Sequence, residues 1–381
     1  MSRRTLVIHA GTYKTGSSAI QLYLARAGHA GRLGDAVYPA TGRSLGIQHG
    51  NLTAELRGGT AFVKSRGGWD KLLAGINAGD AATTVVSSEN FANLDADQLA
   101  EIGARTSAAG VDVRWVHYVR EQAGFYNAFY VERLVNMRPE YAHLIDQPFE
   151  EFGSWSPIDL SLMRYASFAE QVVAAIPGVD LRLRPFSRDA LLDGDVVADF
   201  CATAGIEHTD GFAEDTNVGT GWRTVETARR LTPLVKRARL GERTRGMKHG
   251  QATRMRWIAL IRSELVKATD ELGWNDESAI YLTPEFREQL LAQYAEENAR
   301  VAELGGFDWP AIVAAEKPKA RNVGAFDDIP ASELAQVVQR VVPLMLEAPP
   351  EIAELLVPRT PKAQKKSAVR RAAGYARRRL S

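Results

Sequence analysis

Apolar residues in this chain fall into two alternating patterns. Short runs with the spacing of a strand cover residues 5–9, 36–38, 83–87, 111–119 and 180–186. Between and after them, apolar positions recur every three or four residues over 15–27, 69–76, 96–108, 122–136, 162–175 and 195–204, the spacing that gives a helix one apolar face. The last of these follows Leu192-Asp193-Gly194, a turn and cap signal. Strands alternating with helices predict an α/β fold around a mainly parallel sheet, because a parallel crossover needs a connection about as long as a helix. Past Gly205 the strand signals fade. Residues 223–304 read as helices, including a long one over 284–304 with Pro284 in its first turn, where the missing N–H costs nothing.

Residues 317–330 are polar and carry Pro318, Gly324 and Pro330, so they read as a link to a helix over 331–346. A second proline-bearing stretch, 349–361, leads into the C-terminus. The expected partition is an α/β domain over 1–310, a linker and helical appendage over 311–357, and a basic, disordered tail over 358–381.

Charge changes this picture at one end only. The net charge is +1, yet nine Lys or Arg and no acid lie between Arg359 and Ser381, leaving 38 basic against 46 acidic groups, or −8, on the rest. An acidic body repels nucleic acid at long range, so no nucleic-acid partner is expected for it. The tail suits an anionic membrane surface or remains solvated. The single cysteine, Cys201, excludes an intramolecular disulfide framework and cysteine-clustered metal sites, which fits a reducing cytoplasm. The reading expects no signal peptide and no membrane span, since no apolar run nears the roughly 20 residues needed to cross a bilayer. Localisation is therefore expected to be cytoplasmic, with peripheral contact at the inner face of the membrane if the tail binds lipid.

The densest chemistry lies at the first strand exit, Gly11-Thr12-Tyr13-Lys14-Thr15-Gly16-Ser17-Ser18. Two glycines let the main chain approach a ligand, Lys14 supplies charge, the hydroxyls supply donors, and a helix N-terminus follows. Together these point to phosphate binding. The order is not that of a Walker A loop, in which lysine directly precedes the hydroxyl residue. Ligands in open α/β sheets lie beyond the carboxyl ends of the strands, so two further strand exits matter. Residues 83–87 lead into Ser88-Glu89-Asn90, and 111–119 lead into Arg120.

Lys14-Thr15-Gly16-Ser17-Ser18 resembles the 5′-phosphosulfate loop, K-[ST]-G-[ST]-[ST], of sulfotransferases that use 3′-phosphoadenosine 5′-phosphosulfate. Arg120 is similarly placed to the strand-end arginine that binds the 3′-phosphate in that family. The serine that the family carries eight residues later is absent, because position 128 is alanine; Tyr126, Asn127 and Tyr130 are nearby donors. Arg184-Pro185-Phe186-Ser187-Arg188 with Gly194-Asp195 through Asp199-Phe200 resembles a scaffold pattern of the bacterial carbohydrate-type members, as does Tyr281 through Arg300. The resemblance covers scattered blocks within residues 5–308.

What it implies is a three-layer P-loop-type fold with a central mainly parallel sheet and a helical C-terminal half, and an enzyme that moves a sulfuryl group to an acceptor hydroxyl without a required metal. Lys14 would stabilise the transferring group, Lys14, Thr15, Gly16, Ser17 and Ser18 would hold the 5′ end of the donor, and Arg120 its 3′-phosphate. Glu89 is the first candidate for the base that takes the acceptor proton, and His49 the second. His9 and His117 read as core residues. The acceptor is expected to be a carbohydrate or glycoconjugate, met by loops near 42–51 and 137–156; the oligomeric state is open. The basic segment 223–256, with eleven Lys or Arg against two Glu, reads as a flap, a track for an anionic acceptor, or a solvated helix face. Two other functions remain open: a kinase or NTPase using Mg-ATP, and a non-catalytic binding module that docks through the basic tail.

Overall fold

The computed structural model describes residues 4–44, 47–59, 61–139, 149–151, 160–212, 220–238, 240–243, 250–315 and 321–347. The basic tail over 358–381, most of the stretch 140–159 and the centre of the segment 223–256 lie outside them. Five strands form one all-parallel sheet: β1 (Arg4–His9), β2 (Ala36–Val37), β3 (Thr83–Ser87), β4 (Val111–Val119) and β5 (Asp180–Pro185), in the order β2-β3-β1-β4-β5. All five were expected, within one residue at their ends. Beyond Pro185 the described residues hold helices and one isolated bridge, Ile280 with Asn322, so the helical C-terminal half is as expected.

β1 occupies the centre, paired to β3 on one side and β4 on the other. Side chains alternate across a strand, so each face of β1 seeds a separate apolar layer. Leu6, Ile8 and Ala10 pack with Trp69, Leu72, Leu99, Ile102 and Val172, which come from α3 (Trp69–Ala78), α4 (Ala96–Ala108) and α6 (Tyr165–Ala175). Val7 faces the other way, into Ile20, Tyr23 and Leu24 of α1 (Ser17–His29) and Val197, Phe200 and Cys201 of α7 (Val196–Ala204). Helices thus cover both faces, and the sheet is the middle of three layers. This double burial explains why β1 reads as a continuous apolar run.

The scaffold residues near β5 act as a clamp. Asp199 on α7, almost wholly buried, receives the Arg184 guanidinium, the Tyr118 hydroxyl at 2.6 Å and the Leu192 N–H at 3.1 Å. It ties β4, β5 and the turn before α7 together. Asp195 caps α7 by accepting from the N–H groups of Val197 and Ala198.

The helices differ from expectation in two respects. The long helix over 284–304 is two, Pro284–Gln293 and Ala295–Gly305, because Tyr294 leaves helical dihedrals at φ −107, ψ 15. The second piece is oriented by polar anchors: Glu297 accepts from Ser167 N–H at 3.1 Å, and Asn298 exchanges amide hydrogen bonds with Gln122. Two helices had no sequence signal, α2 (Gly50–Arg57) and Trp309–Ala315. The described residues also group into two compact units. One compact unit comprises the described residues of Met1–Glu132, Gln147–Thr220 and Asp276–Val323; a second comprises those of Arg133–Asp146, Gly221–Asn275 and Gly324–Ser381. Trp309 and Ile312 pack with Tyr165 and Val301 of the first unit, and Asn322 pairs with Ile280 there, so the first unit runs past 310.

The second unit is helical. Trp222–Arg237, Gly250–Asp270 and Ala331–Leu346 pack against one another, and the Trp257 indole N–H donates to the Leu344 carbonyl at 2.7 Å. No described helix is long and apolar enough to cross a membrane.

Asp199→Ala should strip three donors of their acceptor while leaving the surrounding apolar packing in place. The expected loss is roughly 3 kcal/mol of unfolding free energy, the low end for a broken buried pair because Arg184 can turn to water. Urea denaturation reads it directly, and a change below about 0.5 kcal/mol, the level of an ordinary surface substitution, would contradict the clamp.

Candidate functional site

In this strand order the chain leaves β1 for β2, beyond β3 on one side, and after β3 crosses to β4 on the other side of β1, so a crevice opens beyond the carboxyl end of β1. The loop from Gly11 to Ser18 fills that position. It begins by following β4: Ala10 N–H donates to the Val116 carbonyl, and both N–H and hydroxyl of Thr12 donate to the Tyr118 carbonyl, the hydroxyl at 2.8 Å. Thr15 Oγ1 then donates back to the Thr12 carbonyl at 2.5 Å, closing a tight turn. Helix α1 starts at Ser17, two residues later than its periodicity suggests, because Gly16 takes the left-handed conformation at φ 74. A side chain there would be strained and would meet Val196 and Phe186. No side chain caps the α1 N-terminus, so its first N–H groups remain donors for a ligand.

Lys14 also has a left-handed backbone, φ 65, a conformation that costs an L residue about 1–2 kcal/mol. Its carbonyl is held by Arg120, whose Nη1 donates to it at 3.0 Å. The guanidinium stands 5.7 Å over the Phe186 ring, and the Arg120 carbonyl accepts from the Tyr165 hydroxyl at 2.7 Å. The structure therefore brings Lys14 and Arg120 into direct contact at one sheet edge. The Lys14 ammonium lies 3.3 Å from Glu132 Oε2 on α5 (Gln122–Val135). Glu132 was not among the expected site residues. A signal was present: Phe125, Phe129 and Glu132 share a helical face, and Tyr13 of the loop packs on Phe129 with ring centroids 5.9 Å apart.

Glu89 opens a short 3₁₀ turn, Glu89–Asn93, at the end of β3 and accepts from Gln21 Nε2 of α1 at 3.2 Å. The Tyr13 hydroxyl lies 3.2 Å from Asn90 Oδ1 and 3.1 Å from Asn93 Nδ2, so the same turn is tied to the loop. Glu89 and Lys14 thus flank one loop, although the acid paired with the ammonium is Glu132.

His49 is not placed to serve as a base. Its ring accepts from the Ser87 N–H at Nδ1 (3.2 Å) and donates from Nε2 to the Pro39 carbonyl (2.9 Å), and it is fully buried. Both nitrogens are committed, and burial pushes the imidazole down to about 3. The residue pins the loop after β2 to the end of β3. Two of the three donors near Ala128 are also committed to scaffold. Asn127 holds the Ala279 carbonyl and the Tyr281 N–H, and the Tyr126 hydroxyl donates to the carbonyls of Phe149 and Glu150.

The hydroxyls of the loop differ in surroundings. Ser18 is exposed. Ser17 Oγ is buried without a hydrogen-bond partner. So is Nε2 of His9, the last residue of β1, and both atoms stand within 3.0 Å of the point where a Gly11 side chain would begin. Glycine at position 11 is therefore required by close approach of polar atoms. Orphaned buried polar atoms are rare, and here they collect over a glycine at a helix N-terminus, a donor set suited to an anion.

Burial pushes His9 to about 3, with help from His117, and His117 itself to about 4. With His49 this makes three imidazoles held neutral in the native state. Their folded values lie below the unfolded value near 6.5, so their contribution is complete above that pH. It is lost as pH falls toward 4, because the unfolded chain takes up protons that the native protein does not. Each adds about 1.4 kcal/mol per pH unit at full slope. Urea midpoints at pH 7.5 and 5.5 should differ strongly, and equal midpoints would contradict the neutral assignment.

Comparison with known protein families, with curated proteins and with solved structures finds no match for this chain.

Proposed function

We propose that the protein is a sulfotransferase that moves a sulfuryl group from 3′-phosphoadenosine 5′-phosphosulfate to an acceptor hydroxyl. The observation that carries the reading is the contact of Arg120 with the Lys14 carbonyl, which brings an arginine and a lysine together at the glycine loop after the central strand. The strand order β2-β3-β1-β4-β5, with that loop at the switch point, supports a P-loop-type architecture. The lysine order within the loop and the guanidinium at the β4 exit favour this donor over Mg-ATP.

In this reading the α1 N-terminus, Thr15, Gly16, Ser17 and Ser18 hold the 5′ end of the donor, and Lys14 neutralises charge that develops as the bridging S–O bond breaks. Arg120 shapes the loop and, in this reading, binds a donor phosphate. An acceptor oxygen forms the new O–S bond, its proton passes to a carboxylate, and adenosine 3′,5′-bisphosphate leaves. Glu89 is the proposed base. Glu132 replaces His49 as the alternative, since it stands beside Lys14. A carbohydrate or glycoconjugate acceptor remains the leading proposal.

Thermal shift without magnesium tests the donor site, because a ligand that binds only the native state raises stability by mass action. Adenosine 3′,5′-bisphosphate should stabilise the wild type, and Lys14→Ala and Arg120→Ala should each lose that response. Stabilisation by ATP only with magnesium would instead favour a kinase. Glu89→Gln should bind the bisphosphate normally and lose roughly 10²- to 10⁴-fold in transfer rate, measured with labelled donor against a panel of glycans. Near-normal turnover in Glu89→Gln with loss in Glu132→Gln would move the base to α5.

A further inference from the structure

We infer that His9 is a ligand-contacting residue of the anion site, donating its Nε2–H, beside the Ser17 hydroxyl, to an oxygen of the anion held over Gly11. The inference rests on the reading of the loop as an anion site and adds a residue that strand pattern alone assigns to the core. His9 is wholly buried, its Nε2 has no hydrogen-bond partner, and that atom is 2.8 Å from the Cβ position that Gly11 leaves empty. Thr15 Oγ1 and Ser17 Oγ lie 2.9 and 3.0 Å from the same point. Three polar atoms from β1, the loop and α1 therefore converge on one spot, and a carbon there would collide with all of them.

The ring is aimed from behind. Its Nδ1 lies 2.8 Å from Ser87 Oγ at the end of β3, and its faces are confined by Tyr118 and Phe200, with centroids 5.9 and 5.0 Å away. A neutral imidazole has one N–H. The Ser87 hydroxyl can donate to His9 Nδ1 or accept from it. When Ser87 donates to His9, Nε2 must carry the proton and faces the loop as a donor. When Ser87 accepts from His9, Nδ1 carries the proton and Nε2 is a lone pair, which an anion repels. Anion binding therefore selects the Nε2–H tautomer, and Ser87 is a positioning residue. A neutral donor suits this place: it adds direction without adding a third charge beside Lys14 and Arg120.

Nitrogen-15 NMR of histidine-labelled protein distinguishes the tautomers, since protonated and unprotonated ring nitrogens resonate far apart; His9→Gln identifies the signals. Adenosine 3′,5′-bisphosphate should convert His9 to the Nε2–H form. Inorganic sulfate serves as the second probe. In parallel, His9→Phe should weaken bisphosphate binding about ten- to hundredfold, the value of a hydrogen bond to a charged group. His9→Gln, whose amide N–H₂ can reach the same spot, should recover most of it. A bisphosphate that binds while His9 stays unchanged or carries its proton on Nδ1 overturns the inference and leaves the function standing. Sulfate that shifts His9 where the bisphosphate does not bind supports the inference and removes the nucleotide reading. No response and no binding of either probe removes both. Should His9→Phe fail to fold, the wild-type spectra decide.

Discussion

The left-handed backbone of Lys14 is a conformation that a lysine adopts only when its surroundings hold it, and the Arg120 guanidinium on its carbonyl does so. This one hydrogen bond joins the exit of β1 to the exit of β4. It turns the carbonyl toward Arg120 and leaves the following residues to open onto the α1 N-terminus. A loop of this kind is useful only if its base is rigid. The rigidity comes from β1, paired on both edges and buried on both faces.

The sheet also decides which polar residues become chemistry and which become scaffold. Near each strand exit a polar side chain faces the choice between backbone partners and the crevice. His49, Asn127 and Tyr126 have taken backbone partners, and burial makes those bonds costly to give up. Glu89 is held by a side-chain amide from α1, and Lys14 by an ion pair with Glu132 whose members are each about a third exposed. Such a pair contributes little to stability. A ligand can therefore compete for Lys14 at small cost, which is what an anion site needs from its resting state.

Much of the architecture was legible in the chain. Strands 83–87 and 111–119 and helices 96–108 and 331–346 match the structure residue for residue, because each is bounded by turn or cap residues and holds one period throughout. The helix over 284–304 was misread for the opposite reason. Its apolar period continues across Tyr294, and the break is set by Glu297 and Asn298 bonding to Ser167 and Gln122, residues more than 120 positions away. The division into two units was hidden likewise, since both are assembled from three separated stretches and only the seam at Val323–Gly324 falls in a stretch that reads as a link.

By itself the sequence determined the class of fold, the central strand and the glycine-lysine-hydroxyl loop, because these rest on local periodicity and on backbone freedom at Gly11 and Gly16. Only the tertiary structure decided who meets whom at that loop. It set Arg120 on the Lys14 carbonyl, placed Glu132 beside the ammonium, locked both nitrogens of His49 and left Nε2 of His9 facing Gly11. Those outcomes depend on the register of β1 between β3 and β4 and on the path of α5, and pairing between distant segments leaves no mark on the spacing of residues within any one of them.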